Sequence, residues 1–188
     1  MGLISECELV VIGGSWGGTD AVIHILSGLP ITFRTPIVVV LHRQKNVEST
    51  LHEIIGRYIF LEVREVNEKE PIKGGSVYLA PSNYHVLIEK DKTFSLDVSE
   101  DVAFSRPSID VLFESASMTY GDKVVGILLT GANSDGAEGL KSIVERGGVA
   151  IVQNPEEAEN RIMPMSALAK VNAFVMNKKQ IQEFLLSL

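Results

Sequence analysis

The chain has 188 residues, of which 45% are hydrophobic and 22% charged, and its formal net charge is -7. This size and composition predict one globular domain, spanning residues 1–188, with a substantial core. Its lysines and arginines are scattered, so it lacks the basic face that nucleic acids and anionic membranes require, and we expect neither as a partner. Cys7 is the sole cysteine, which excludes an internal disulfide and a cysteine-based metal site.

The predicted elements alternate between buried strands and amphipathic helices. A strand in "ELVVIG" precedes a helix in "GGTDAVIHILSGLP", and a strand in "PIVVVLH" precedes a helix in "VESTLHEIIGRY". Two further strands are predicted in "KVVGILLTG" and "GVAIVQN", and four further helices in "SIDVLFESASMTYG", "DGAEGLKSIVERGG", "MPMSALAKV" and "KKQIQEFLLSL". Strands that are apolar at nearly every position suit a sheet covered on both faces. The pattern predicts a doubly wound α/β fold with a mostly parallel sheet.

The middle of the chain departs from this alternation. Between residues 60 and 98, four strand-like runs follow one another without helices, namely "FLEVREV", "GSVYLAP", "HVLIE" and "TFSLDV". We expect them to form antiparallel hairpins, added either at one edge of the sheet or as a flap. The chain carries no signal peptide and no apolar run of membrane-spanning length, so we expect a cytoplasmic protein without direct membrane insertion.

The first predicted strand ends in a glycine-rich turn around a serine. The segment "GGSWG", residues 13–17, fits the pattern G-x-S-x-G directly between a strand and a helix. Such a turn projects the seryl hydroxyl above the sheet, and the following helix places backbone N–H groups beside it. The same glycines fit a plain tight turn or a phosphate-binding turn, so the motif alone leaves the role of Ser15 open.

Two further side chains of catalytic type follow buried strands. His42 ends "PIVVVLH", and Asp135 lies in "ANSDGAEGL" after "KVVGILLTG". Taken singly, His42 fits a residue at the rim of the sheet, and Asp135 fits a helix N-cap. Together with Ser15, however, they supply a hydroxyl to attack, an imidazole to take its proton and a carboxylate to orient the imidazole. Because carboxyl ends of parallel strands meet at one sheet edge, the three residues form a candidate triad.

A nucleotide-binding turn is the weaker interpretation of the same region. It would need a glycine at the position of Ser15 and an acidic residue at the position of His42. Arg43 keeps this interpretation open, because an arginine there can meet a 2′-phosphate. No spacing among His, Asp and Glu residues resembles a metal site, and we expect no metal.

Six blocks of the chain resemble the catalytic domain of CheB-type protein-glutamate methylesterases, the enzymes that demethylate bacterial chemoreceptors. In order, they are "VVIGGSWGGTDAV", "LHRQ", "GGSVYLAPSNYHVLIE", "SRPSIDVLFESAS", "GILLTGANSDGAEGL" and "GGVAIVQNPEEAENRIMP". The similarity covers almost the whole chain. It implies a doubly wound α/β domain with an antiparallel extension, in agreement with the element pattern.

The resemblance also implies the role of each site residue. Ser15 is expected to be the nucleophile, His42 the general base and then acid, and Asp135 the orienting carboxylate. The backbone N–H groups of Trp16 and Ala132 are expected to hold the oxyanion. The reaction implied is hydrolysis of a glutamyl methyl ester through an acyl-enzyme, and it needs no cofactor.

The expected partners are methylated cytoplasmic helices of chemoreceptors. Arg43, His85 and Arg106 are candidate residues of the substrate cleft. Many family members carry a receiver domain before the catalytic domain, and we expect none here, so that activity is either constitutive or gated by a separate receiver domain. Two other functions stay open, a catalytically weak receptor-binding module and an esterase or glutamine deamidase with another substrate.

Three segments depart from the family pattern. Trp16 stands where a threonine is usual, and its ring either narrows the crevice or fills a slot beside it. In "GANSDGA", Ala132 replaces a usual methionine and Ser134 precedes the aspartate, while Ser105 in "SRPS" stands where a histidine is common. We expect these changes to affect substrate preference more than reaction type.

Overall fold

A computed structural model describes residues 4–42, 50–102 and 104–188. The described strands are β1 (Leu9–Gly14), β2 (Ile37–Leu41), β3 (Glu62–Glu65), β4 (Ser76–Leu79), β5 (His85–Ile88), β6 (Phe94–Asp97), β7 (Val124–Leu128), β8 (Val149–Gln153) and β9 (Phe174–Met176). The described helices are α1 (Gly18–Leu26), α2 (Leu51–Gly56), α3 (Ile109–Tyr120), α4 (Ala137–Glu145), α5 (Ile162–Leu168) and α6 (Lys178–Leu186). All six predicted helices are therefore present. Five lie within their predicted segments, and α5 begins one residue before its segment.

The strands form one large sheet and one hairpin. The large sheet has seven strands in the order β3-β4-β2-β1-β7-β8-β9, and all of its neighbouring strands are parallel. Strands β5 and β6 form a separate antiparallel pair. The predicted fold class, a doubly wound parallel sheet with an antiparallel extension, is confirmed.

The expectation of antiparallel hairpins throughout residues 60–98 is wrong for the first half of that segment. Strands β3 and β4 are parallel to each other and to β2, and they extend the main sheet. The connection between them replaces the missing crossover helix, because it bonds to the hairpin instead: the Lys69 N–H donates to the Phe94 carbonyl at 2.9 Å and the Ile72 N–H to the Lys92 carbonyl at 3.0 Å. An irregular connection can thus join two parallel strands without a helix when its backbone groups find hydrogen-bond partners elsewhere.

The core lies on both faces of the sheet. Alternate residues of β1 point to opposite sides, Val10 and Ile12 to one face and Leu9 and Val11 to the other, and all four are fully buried. Helices α1, α2 and α6 cover the first face, whereas α3, α4, α5 and the hairpin cover the second. Among the helices in the described ranges, none is both long and apolar enough to cross a membrane.

Candidate active site

Three central strands bring the predicted triad to one edge of the sheet. Ser15 follows β1 directly, and His42 follows β2, whose last residue Leu41 lies opposite Gly14 in the register. The His42 N–H donates to the Gly14 carbonyl at 3.1 Å, which ties the two strand ends together. Strand β7 lies on the other side of β1 and leads into the loop that carries Asp135. The order reverses at β1, and doubly wound sheets bind ligands at such a reversal.

Glycines make the serine turn possible. A Cβ at Gly13 would lie 2.3 Å from Cγ2 of Ile109, so no larger residue fits between β1 and α3. Gly17 has φ of 77°, and a Cβ there would lie 2.5 Å from a carboxylate oxygen of Glu159. The turn is closed by the Gly18 N–H, which donates to the Ser15 carbonyl at 2.7 Å. Ser15 thus stands at a fixed position immediately before the first turn of α1.

His42 and Asp135 are paired. The His42 Nε2 lies 2.7 Å from Oδ2 of Asp135, whose side chain is fully buried, whereas the imidazole keeps 12% of its surface exposed. An ionised carboxylate can only accept, so Nε2 carries the proton and Nδ1 holds the free lone pair. Nδ1 is therefore the nitrogen that can act as a base.

Two polar side chains approach that nitrogen. Asn133 Nδ2 lies 3.3 Å from Nδ1 of His42, and the Ser105 hydroxyl lies 3.5 Å from it. The Asn133 amide is oriented by its other end, because its Oδ1 accepts from the Asp135 N–H at 3.1 Å. Among the described residues, the Ser15 hydroxyl makes no hydrogen bond with His42. The expected nucleophile and the expected base are therefore adjacent through the strand register and are not hydrogen-bonded to each other.

The Asp135 carboxylate lies at the N-terminus of α3. Its Oδ2 accepts from the Ile109 N–H at 2.7 Å as well as from His42, and its Oδ1 accepts from the Ser108 hydroxyl at 2.9 Å and the Asp110 N–H at 3.0 Å. Burial by itself would raise the pKa of Asp135. The bonds from His42 and from the backbone of Asp110 and Ile109 outweigh burial and hold that pKa below its ordinary value. The group is therefore an anion ready to stabilise an imidazolium.

A second carboxylate beside it behaves in the opposite way. Burial, together with the charges of Asp135 and Glu114, raises the pKa of Asp110 to about 6, although the Gly139 N–H donates to it at 2.7 Å. The folded protein thus binds a proton at Asp110 more tightly than the unfolded chain does. By linkage, the contribution of Asp110 to the free energy of unfolding is present below about pH 4 and is lost as pH rises to about 6.

Replacing Asp110 with Asn is therefore expected to stabilise the protein at neutral pH. The gain should be on the order of 1 kcal/mol, less than the full pKa shift implies because the side chain is partly exposed to solvent. Urea unfolding of both proteins at about pH 7.5 and about pH 4 measures it, and the gain should disappear at the lower pH. A variant less stable than the parent at the higher pH would contradict the raised pKa.

Trp16 is held by the loop that follows β8. Its indole Nε1 donates to Oε1 of Glu159 at 2.6 Å, and its carbonyl accepts from the Thr130 hydroxyl at 2.9 Å. The side chain is 64% exposed, so the ring does not fill a slot in the protein. It forms an exposed aromatic surface next to Ser15.

The two expected oxyanion donors both belong to segments close to the serine. Trp16 follows Ser15 in the chain, and Ala132 follows Gly131, where a Cβ would lie only 3.0 Å from Cβ of Ser15. Within the described ranges, neither N–H group is used in a hydrogen bond. Both are therefore available to a ligand.

The three expected cleft residues are placed differently from one another. Arg43 lies outside the described residues. The Arg106 guanidinium is engaged within the protein, donating to the carbonyls of Val98 and Ser99, each at 2.6 Å, and to the Asn83 side chain. It ties loops together, because these acceptors come from separate segments of the chain.

His85 lies in the interior rather than in the cleft. It is 1% exposed, and both of its ring nitrogens are engaged, with Nδ1 accepting from the Ser108 N–H at 3.1 Å and Nε2 lying 3.0 Å from the Glu100 carbonyl. Sequence analysis did not single out Ser108, Asn133 or Glu159. Ser108 had a detectable signal, since a serine before an apolar helical run is a typical N-cap.

Comparisons with known proteins show which family this chain resembles. A family model described as CheB methylesterase matches residues 10–185. A curated Leptospira interrogans protein is 50% identical over 182 residues, which cover 96% of this chain and 94% of that protein. A Carboxydothermus hydrogenoformans protein named protein-glutamate methylesterase/protein-glutamine glutaminase 1 is 36% identical, and the match covers 87% of this chain and 54% of that protein.

A solved structure is similar over the same extent. The crystal structure of the Thermotoga maritima CheB methylesterase catalytic domain superposes with a TM-score of 0.91 at 31% identity, covering 97% of this chain and 98% of that chain. The chain therefore belongs to the CheB methylesterase family, as its sequence blocks predict.

Proposed function

We propose that this protein hydrolyses the methyl esters of glutamate residues on the cytoplasmic helices of chemoreceptors and releases methanol. The observation that carries the proposal is the 2.7 Å contact between His42 Nε2 and the buried Asp135 carboxylate, beside the strand end that bears Ser15. These three groups are what acyl transfer through a serine requires. The names of the curated relatives support glutamyl side chains as the substrate.

The first half of the reaction forms an acyl-enzyme. The Ser15 oxygen attacks the ester carbonyl while Nδ1 of His42 takes its proton, and Asp135 stabilises the resulting imidazolium through Nε2. The carbonyl oxygen becomes an oxyanion, which the N–H groups of Trp16 and Ala132 can receive. The C–O bond to methoxide then breaks, and methanol leaves with the proton from His42.

The second half regenerates the enzyme. A water molecule gives a proton to Nδ1 of His42 and attacks the acyl carbonyl, and the second tetrahedral intermediate collapses with release of Ser15. The product is a glutamate side chain, and the proton returns from His42 to the serine oxygen. A glutamine side chain follows the same route with ammonia as the leaving group.

Paired product measurements test the proposal. A receptor cytoplasmic fragment carrying a methyl ester at one glutamate position is compared with the same fragment carrying glutamine there. We expect methanol from the first and slower ammonia release from the second, because an amide is the harder acyl donor. A folded protein that releases neither would contradict the proposal and favour a receptor-binding module.

The exposed ring of Trp16 is expected to contact the substrate beside the ester. Replacing it with Thr should raise KM roughly tenfold and leave kcat within about threefold, because the contact is made equally in ground and transition states. Glu159→Ala, which frees the indole from its hydrogen bond, should raise KM by less. Initial rates of methanol release measure both effects. A lower KM in Trp16→Thr would mean that the ring obstructs the cleft.

A further inference from the structure

A buried histidine that the proposed reaction does not use lies behind the catalytic carboxylate. His85 is at the start of β5 and is 1% exposed. Its Nδ1 accepts the backbone N–H of Ser108 at 3.1 Å, and its Nε2 donates to the Glu100 carbonyl at 3.0 Å. An imidazole that accepts at one nitrogen and donates at the other is neutral and has a single tautomer. Its ring can therefore act as a rigid acceptor for Ser108.

Ser108 connects this histidine to the triad. It is fully buried and is the N-cap of α3, where its hydroxyl oxygen accepts from the Val111 N–H at 3.5 Å. The same hydroxyl donates to Oδ1 of Asp135 at 2.9 Å. The backbone of Ser108 is thus held by His85 while its side chain holds Asp135.

The two oxygens of Asp135 are used differently. Oδ1 receives Ser108 and the Asp110 N–H, so the carboxylate cannot rotate without losing both bonds. Oδ2 then faces His42, at 2.7 Å from Nε2. The orientation of the imidazole depends on this arrangement, because a triad carboxylate acts by fixing the ring and its tautomer.

We propose that His85 and Ser108 are positioning residues for the Asp135 carboxylate. His85 fixes the backbone of Ser108, and the Ser108 hydroxyl fixes the plane of the carboxylate that orients His42. The inference rests on the proposed function, in which Asp135 orients the base. It assigns to the hairpin a role in catalysis, because β5 supplies the histidine.

Two substitutions of His85 separate this role from simple packing. The amide of Asn reaches the position of the imidazole Nδ1, whereas the amide of Gln reaches that of Nε2. Both remove the ring from the interior, but only His85→Asn keeps an acceptor for the Ser108 N–H. We expect His85→Gln to lower kcat roughly tenfold with KM unchanged, and His85→Asn to stay within about threefold of the parent. Equal kcat values in the two folded variants would overturn the role of His85.

The role of Ser108 is tested by a double-mutant cycle. Ser108→Ala should lower kcat roughly 10- to 100-fold, whereas Ser117→Ala, which removes an equally buried hydroxyl from the same helix, should leave kcat nearly unchanged. In an Asp135→Asn background, Ser108→Ala should cause no further loss, because it acts through that carboxylate. An equal loss in both backgrounds would overturn the proposal.

The cycle also separates this inference from the proposed function. If the folded parent protein releases neither methanol nor ammonia, the proposed function fails along with the inference. If Asp135→Asn by itself leaves kcat unchanged, the orienting role of Asp135 and the inference both fail, while the hydrolysis itself stands. If Asp135→Asn abolishes activity but Ser108→Ala in the parent protein does not lower kcat, only the inference fails. Thermal unfolding of each variant confirms that the rates compare folded proteins.

Discussion

Replacing Ser15 with Ala should lower the rate of methanol release by roughly six orders of magnitude while the fold is retained. The loss is this large because the hydroxyl is the attacking group, and without it neither His42 nor Asp135 has a proton transfer to assist. Stability should change little, since the Ser15 hydroxyl makes no hydrogen bond with the described residues. Binding of the methylated receptor fragment should also persist, because the backbone of the turn is unaltered.

The chain offers a matched control for this variant. The Ser105 hydroxyl lies 3.5 Å from Nδ1 of His42, so it is a second serine within reach of the base. It lies in the long loop between β6 and α3, whereas Ser15 lies in the tight turn that joins β1 to α1. Ser105→Ala should therefore keep its rate within roughly tenfold of the parent. A loss in Ser105→Ala as large as that in Ser15→Ala would contradict the assignment of the nucleophile.

Replacing Asp135 with Asn should lower both activity and stability. Activity should fall roughly 10⁴-fold, because an amide can present an N–H to His42 and favour the wrong tautomer. The free energy of unfolding should fall by about 2–5 kcal/mol. Both oxygens of the Asp135 carboxylate accept hydrogen bonds, and the NH₂ group of Asn, which cannot accept, would replace one of them and leave the donors on that side without an acceptor. Methanol release and urea unfolding measure the two effects.

The stability effect of Asp135→Asn should depend on pH. The pKa of Asp135 is lowered in the folded protein, so its charge adds stability above the unfolded value of about 4. That contribution is lost as pH falls through the folded pKa, and the difference between parent and variant should shrink in the same range. Asp110→Asn is the matched control, because it makes the same change at a neighbouring carboxylate and is expected to stabilise the protein rather than destabilise it. A difference that is constant with pH would contradict the charged state of Asp135.

The location of the three candidate triad residues at one sheet edge could be predicted because each follows a strand that is buried on both faces. The apolar runs before Ser15, His42 and Asp135 show where the three strands end. A parallel sheet brings the carboxyl ends of its strands to one edge, independently of the conformation of the loops. The sequence does not show which nitrogen of the His42 ring contacts the Asp135 carboxylate, because that depends on the orientation of the ring in the folded protein. The network behind Asp135 was also missed, since His85 and Ser108 are 23 residues apart and meet only in the folded state.

Strand pairing in the middle of the chain was the weaker part of the sequence analysis. β3 and β4 lie parallel because residues 66–75 bond to the hairpin, and these contacts leave no periodic signal. Strand β9 was not predicted, because it has three residues and lies at the edge of the sheet with Phe174 and Val175 partly exposed. Short edge strands depend on their neighbour rather than on their own composition.

Capture of the acyl-enzyme tests most directly whether Ser15 is the nucleophile. The protein is mixed with a methyl-esterified receptor fragment, quenched in acid during the first turnover and digested for mass spectrometry. We expect a covalent complex of the two chains, joined through an ester between the glutamyl side chain and Ser15, which is absent from Ser15→Ala. Methanol release without any covalent complex, or a complex joined through Ser105, would contradict it.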